Sequence, residues 1–157
     1  MIVQDIMNTA VKTANADTLI KDIASIMCFN KISGMPVVDS NEKLIGVLSE
    51  KDILKAMFPD VEQIMQEGAK TDFESIEADY KGLLDKKAED FMTQTVASVS
   101  ADMPLLKAAS LMCVKKIRRI PVTDSSNKLV GIISIGDVHK AIFQDSLLKS
   151  NSSDEAA

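Results

Sequence analysis

Leu19, Ile20, Ile23, Ala24 and Met27 are apolar positions at helical spacing, the pattern of one buried helix face. Asp17 stands just ahead of them as a good N-cap, and a short extended piece is expected near Val11. Beyond this helix the periodicity changes. GMPVVD is a β-branched run opened by a proline, which suits an edge strand because proline has no N–H to give a ladder. The polar SNEK that follows reads as a turn. LIGVL is a continuous apolar run, too short for a helix and right for a buried strand. Ser49 then opens a last helix. The predicted order is β-α-β-β-α.

The same order is written a second time. A displacement of 85 positions aligns residues 5–58 with 90–143 without a gap, and 23 of the 54 pairs are identical. Average composition would give about three, so the chain is an internal duplication. Asp5 falls on Asp90, Met7 on Met92, Asp17 on Asp102, and Met27-Cys28 on Met112-Cys113. Pro36-Val37 falls on Pro121-Val122, Gly46 on Gly131, Ser49 on Ser134, Asp52 on Asp137 and Phe58 on Phe143. Pro104 sits where the second copy's first helical turn is expected, a position that tolerates proline. Residues 1–58 therefore form one repeat and 86–146 the other.

Residues 59–85 are a spacer. Nine acidic and four basic residues lie within 59–89, a net of −5 that equals the charge of the whole chain. Phe73, Ile76, Tyr80 and Leu83 or Leu84 keep helical spacing, which predicts at least one amphipathic helix, weakened by Gly68 and Gly82. Residues 147–157 are a predicted disordered tail, since SNSSDEAA offers nothing apolar beyond alanine to anchor it.

Hydrophobic residues make up 46% of the 157 and aromatics only 4%, so aliphatic side chains must fill the core. No apolar run approaches the roughly 18 residues of a membrane helix, and MIVQDIM is not the start of a signal peptide. Two cysteines are too few for a disulfide framework and fit a reducing compartment. The acidic balance argues against nucleic acid and anionic membranes as partners. The expectation is a globular cytoplasmic protein without membrane insertion.

The repeated turns GVLSEKD (46–52) and GIISIGD (131–137) carry the candidate chemistry. Their plainest role is structural, with serine as N-cap and the aspartate three places on completing a capping box. The same geometry also suits a ligand. A strand that ends in a helix N-terminus presents free N–H groups and a positive dipole end to phosphate, and the aspartate can accept from ribose hydroxyls. The glycine leaves room for a ligand or for a neighbouring backbone. On chemistry alone the cap is favoured.

Taken together, the D-x-M opening, the helix, the h-P-V-h-D strand and the G-h-h-[ST]-x-x-D turn, each present twice in register, resemble a CBS (cystathionine β-synthase) domain. The tandem resembles a CBS pair, or Bateman module, over about residues 1–58 and 86–145. The resemblance implies an α/β fold in which two β-α-β-β-α repeats pack with pseudo-two-fold symmetry. It also implies clefts between the repeats that bind an adenosine nucleotide of the AMP, ADP, ATP or S-adenosylmethionine type, with or without magnesium. Carried over by position, Asp52 and Asp137 would contact ribose, and Ser49 and Ser134 ribose or phosphate. Ser33 and Gly34 in one copy, and Arg118 and Arg119 in the other, would line the adenine and phosphate region. The two guanidiniums suit phosphate, and Lys51 faces Gly136 in the alignment, so the two sites should not be equivalent. The family commonly pairs modules through its last helices, so Ile53, Ala56, Met57, Val138, Ala141 and Ile142 are expected to build a homodimer.

Other constellations add little. KKIRR (115–119) reads as a phosphate contact or a solvated strand edge before it reads as a nucleic-acid patch. His139 has no partner for nucleophilic catalysis, and no G-x-S-x-G accompanies it. Cys28 and Cys113 are expected to be buried inert thiols on or near an apolar face, and no Cys/His spacing suggests zinc. The sequence thus points to a non-enzymatic regulatory or sensor protein that binds a nucleotide and acts on an unidentified regulated protein. A ligand-free structural dimerisation module is the alternative.

Overall fold

The computed structural model describes residues 1–58, 61–68 and 71–155. Helix α1 (Ile20–Asn30), strands β1 (Gly34–Val38) and β2 (Leu44–Ser49) and helix α2 (Glu50–Met57) realise the α-β-β-α part of the order predicted for the first repeat, and its opening strand is reduced to an isolated bridge at Ala14. Helix α3 (Val61–Glu67), α4 (Phe73–Ala78) and α5 (Tyr80–Leu83) follow in the spacer. Helix α6 (Leu105–Lys115), β3 (Arg119–Thr123), β4 (Leu129–Ser134) and α7 (Ile135–Glu155) repeat the first set.

Each strand pair is an antiparallel hairpin. Gly34 lies opposite Ser49, and Arg119 opposite Ser134. The aspartate closing each h-P-V-h-D strand holds the turn: Asp39 Oδ1 accepts from the N–H of Asn41 and Lys43 at 2.9 and 3.0 Å. Asp124 Oδ1 does the same for Ser126 and Lys128 at 2.9 Å. The proline strands are bridged on their other side as well. Ala14 N–H donates to Pro36 O and Ala14 O accepts from Val38 N–H, so the bond pattern passes over the proline's missing donor. Val99 repeats this with Pro121 and Thr123. The extended piece expected near Val11 and Val96 thus makes its bridge three residues later, at Ala14 and Val99.

The chain divides into two compact units, and they do not coincide with the repeats. One unit combines Met1–Val11 with Ala97–Ala157, and the other is Lys12–Val96. Each repeat has given its opening segment to the other repeat's body. Val3 is fully buried in a core with Val99, Leu105, Ala108, Met112, Ile120, Val122, Ile133 and Val138. Ala88 is buried in the other core with Ala14, Ile20, Ile23, Met27, Met35, Val37, Leu48 and Ile53. The same exchange sets the helix starts. Ile20 and Lys21 donate their N–H groups to the carbonyls of Lys86 and Leu84, and Leu105 donates to Met1 O. Leu19 and Pro104 are therefore the N-caps, not Asp17 and Asp102: backbone acceptors from a distant segment fill the place that a side-chain cap would take.

Three further expectations change. Cys28 and Cys113 are exposed, not buried. They follow Met27 and Met112, which are 2% and 0% exposed, and one helical step of about 100° turns a side chain off the buried face. Ile53 and Val138 are buried within their own units at 5% and 2% exposure, so the large apolar side chains left outside are Leu54 on α2, Phe58 just past its end, and Phe143, Leu147 and Leu148 on α7. Of the predicted disordered tail, residues 147–155 are instead helical, and residues 156–157 lie outside the described residues. Ser150, Ser152 and Ser153 hydroxyls donate to carbonyls three or four residues back, and Lys149 pairs with Asp145 at 2.7 Å. In the spacer, where at least one amphipathic helix is expected, α4 and α5 meet at Asp79, with Tyr80 and Leu84 packed on the core of their unit.

Candidate functional site

The eight residues singled out from sequence fall into two groups of four, one on each unit. In the Lys12–Val96 unit, the antiparallel register sets Gly34 beside Ser49, and Glu50 N–H donates to Ser33 O at 2.9 Å. The strand start and the helix start are thereby locked together, with Asp52 in the first turn. In the other unit Arg119 faces Ser134, and Ile135 N–H donates to Arg118 O at 2.8 Å. Both arginines and Asp137 are exposed there. The hairpin alone brings each group together, since residues about 15 apart in sequence end on the same edge.

The two turns differ in what their aspartates do. At the first, Ser49 Oγ accepts from Asp52 N–H at 3.2 Å, while Asp52 Oδ2 accepts from both Ser49 N–H and Ser49 Oγ at 2.9 and 3.0 Å. This is a completed capping box with a half-buried carboxylate. At the second, Ser134 Oγ accepts from Asp137 N–H at 3.0 Å. Among the described residues nothing donates to the Asp137 carboxylate.

The glycines have a purpose that sequence left open. A Cβ on Gly131 would stand 2.7 Å from Met7 Sδ and 3.1 Å from Asn8 O. One on Gly46 would meet Met92 Sδ and Thr93 O at the same two distances. What the glycine admits is the neighbouring opening segment. Gly34 is different, because a Cβ there would make only ordinary contacts of 3.5 Å and more, and the second copy carries Arg119 in its place. His139 is exposed on α7. Among the described residues no three His, Cys, Asp or Glu side chains are grouped to hold a metal, and no helix is long and apolar enough to cross a membrane.

The CBS-domain family model matches residues 3–59 and again 88–144. The chain belongs to the CBS-domain family. This CBS-domain protein is 33% identical over 154 residues to MJ1426 of Methanocaldococcus jannaschii, covering 90% of this chain and 91% of that one. Among solved structures it resembles CBSX2 in complex with AMP, with a TM-score of 0.71 and 29% identity over 92% of this chain and 98% of that one. It also resembles the CBS domain pair of MJ0100 in complex with 5′-methylthioadenosine and S-adenosyl-L-methionine. There the TM-score is 0.69 and the identity 25%, over 92% of this chain and 98% of that one. Other relatives are longer, and of the chloroplastic CBSX1 of Arabidopsis thaliana the chain spans 57%.

Proposed function

We propose that this CBS pair is a non-enzymatic regulatory protein that binds an adenosine-containing ligand at its strand–helix turns and passes occupancy on as a conformational change to a regulated protein. The observation that carries the proposal is the turn at Ser134, where Asp137 has an exposed carboxylate to which nothing among the described residues donates, and where the backbone of two exposed arginines is paired with the helix start. Asp137 would accept from the ribose hydroxyls, Ser134 would hold ribose or phosphate, and Arg118 and Arg119 would neutralise phosphate. Ser33, Gly34, Ser49 and Asp52 would form the corresponding, weaker place on the other unit. Adenosine ligands in the related CBS pairs support this choice of chemistry. Two-fold pairing with a second copy would cover Phe58 and Phe143.

A thermal-shift screen over AMP, ADP, ATP, S-adenosylmethionine and NADH, with and without magnesium, tests the proposal. A ligand at a hundredfold its Kd should add about 2.7 kcal/mol. Replacing Arg118 and Arg119 with alanine should weaken AMP more than adenosine, and equal losses would remove the arginines from the phosphate site. The completed box at Ser49 and Asp52 favours a second reading, a dimerisation module that binds nothing. No shift with any of the five ligands, together with a stable dimer in sedimentation, would establish that reading instead.

A further inference from the structure

Each opening segment is a short strap fastened at both ends. On one unit, Asn8 and Ile132 exchange two backbone hydrogen bonds of 2.9 Å, and Met7 is seated on Gly131. Six residues further on, Ala14 exchanges bonds of 3.0 and 2.9 Å with Pro36 and Val38 on the other unit. The second strap repeats this arrangement. Thr93 is bonded to Val47 at 3.0 and 2.9 Å with Met92 on Gly46, and Val99 is bonded to Pro121 and Thr123. The fastening on β4 lies two residues before Ser134, and the one on β2 two residues before Ser49. Thr9 and Ala10 between the fastenings are exposed, and Ala10 N–H donates to Asn8 Oδ1 at 3.0 Å, which stiffens the strap at its start.

We infer that these straps carry the regulatory signal: a ligand held at either turn braces the strand it ends, tightens the strap docked on that strand, and so biases β1 or β3 of the opposite unit. This deepens the proposed function and rests on the adenosine-ligand reading. Met7, Asn8, Met92 and Thr93 are then positioning residues. They act through β4 and β2, and the docking of each strap and the filling of its turn are linked by one coupling free energy. Linkage makes the effect reciprocal. Whatever factor AMP adds to strap docking, loosening the strap must subtract from AMP affinity.

Amide hydrogen exchange on the full chain, with AMP as the probe, reads the first half of this linkage. Saturating AMP should slow exchange at Asn8 and Ile132 at least about threefold, well outside the turn itself. Calorimetry reads the second half. Met7→Ala should weaken AMP about fivefold, the common size of such a coupling, and Met7→Leu should restore most of the affinity by refilling the glycine seat. AMP that binds while slowing exchange only within 134–137, or that binds Met7→Ala as tightly as the wild type, overturns the strap. Failure of AMP to bind at all would instead defeat the adenosine reading, and the strap with it.

Discussion

Asp52 and Asp137 are the same residue in the duplicated sequence, yet one is engaged by its own turn and the other is not. Asp52→Asn removes a charge that accepts two hydrogen bonds, so it should cost about 1 kcal/mol of stability in chemical denaturation. Asp137→Asn should cost only the weaker charge–dipole attraction, a few tenths of a kcal/mol. In AMP titrations the order reverses. Asp137→Asn should lose about 1.5–3 kcal/mol of affinity, the range for a hydrogen bond to a charged group. Equal effects of the two variants on both measurements would mean that the turns are interchangeable. The cysteines give a second residue-scale expectation. Both are exposed, so a thiol reagent should label two groups per native chain without denaturant, and protection of either would show that a partner covers it. The sequence pointed to the right helix for both cysteines but the wrong side, because adjacent Met27 and Cys28 differ by a rotation that apolar character alone does not resolve.

At the scale of elements, the hairpins and helices were legible because their signals are local. The turn aspartates Asp39 and Asp124, the apolar runs and the helical spacing all lie within a few residues of the structure they specify. The partner of each opening segment was not legible. Met7 and Met92 are identical, as are Gly46 and Gly131, so no alignment of the repeats can say which methionine rests on which glycine. The helix starts were misplaced for the same reason, since Lys86, Leu84 and Met1 cap them from far away in sequence. The glycine seats can be tested directly. Gly131→Ala and Gly46→Ala should each destabilise the fold by about 1–3 kcal/mol, the usual cost of overpacking, as the added methyl evicts a thioether. Gly34→Ala should change stability by less than about 0.5 kcal/mol, because its Cβ has room. Thermal melts of the three variants would check this order.

At the scale of the molecule, the inequality of the two candidate groups was legible in Arg118 and Arg119 against Ser33 and Gly34, but the different hydrogen bonding of Asp52 and Asp137 was not. Sequence identity between repeats hides a difference in hydrogen bonding that only coordinates display. The exchange of opening segments has a consequence for how such a chain can be divided. Cutting the spacer yields two fragments, and each holds the body of one unit but the missing piece of the other. Neither fragment alone contains a complete core, since Val3 and Ala88 lie on the opposite fragment from the cluster that each completes. Fragments ending and beginning within the spacer should therefore be unfolded by circular dichroism when separate, and should regain a cooperative melt when mixed. By the same logic a single ancestral repeat could fold only by trading its first residues with a twin. Gene duplication would then have fused an obligate pair into one chain and freed the two copies of the turn to diverge, one kept as a cap and the other left open.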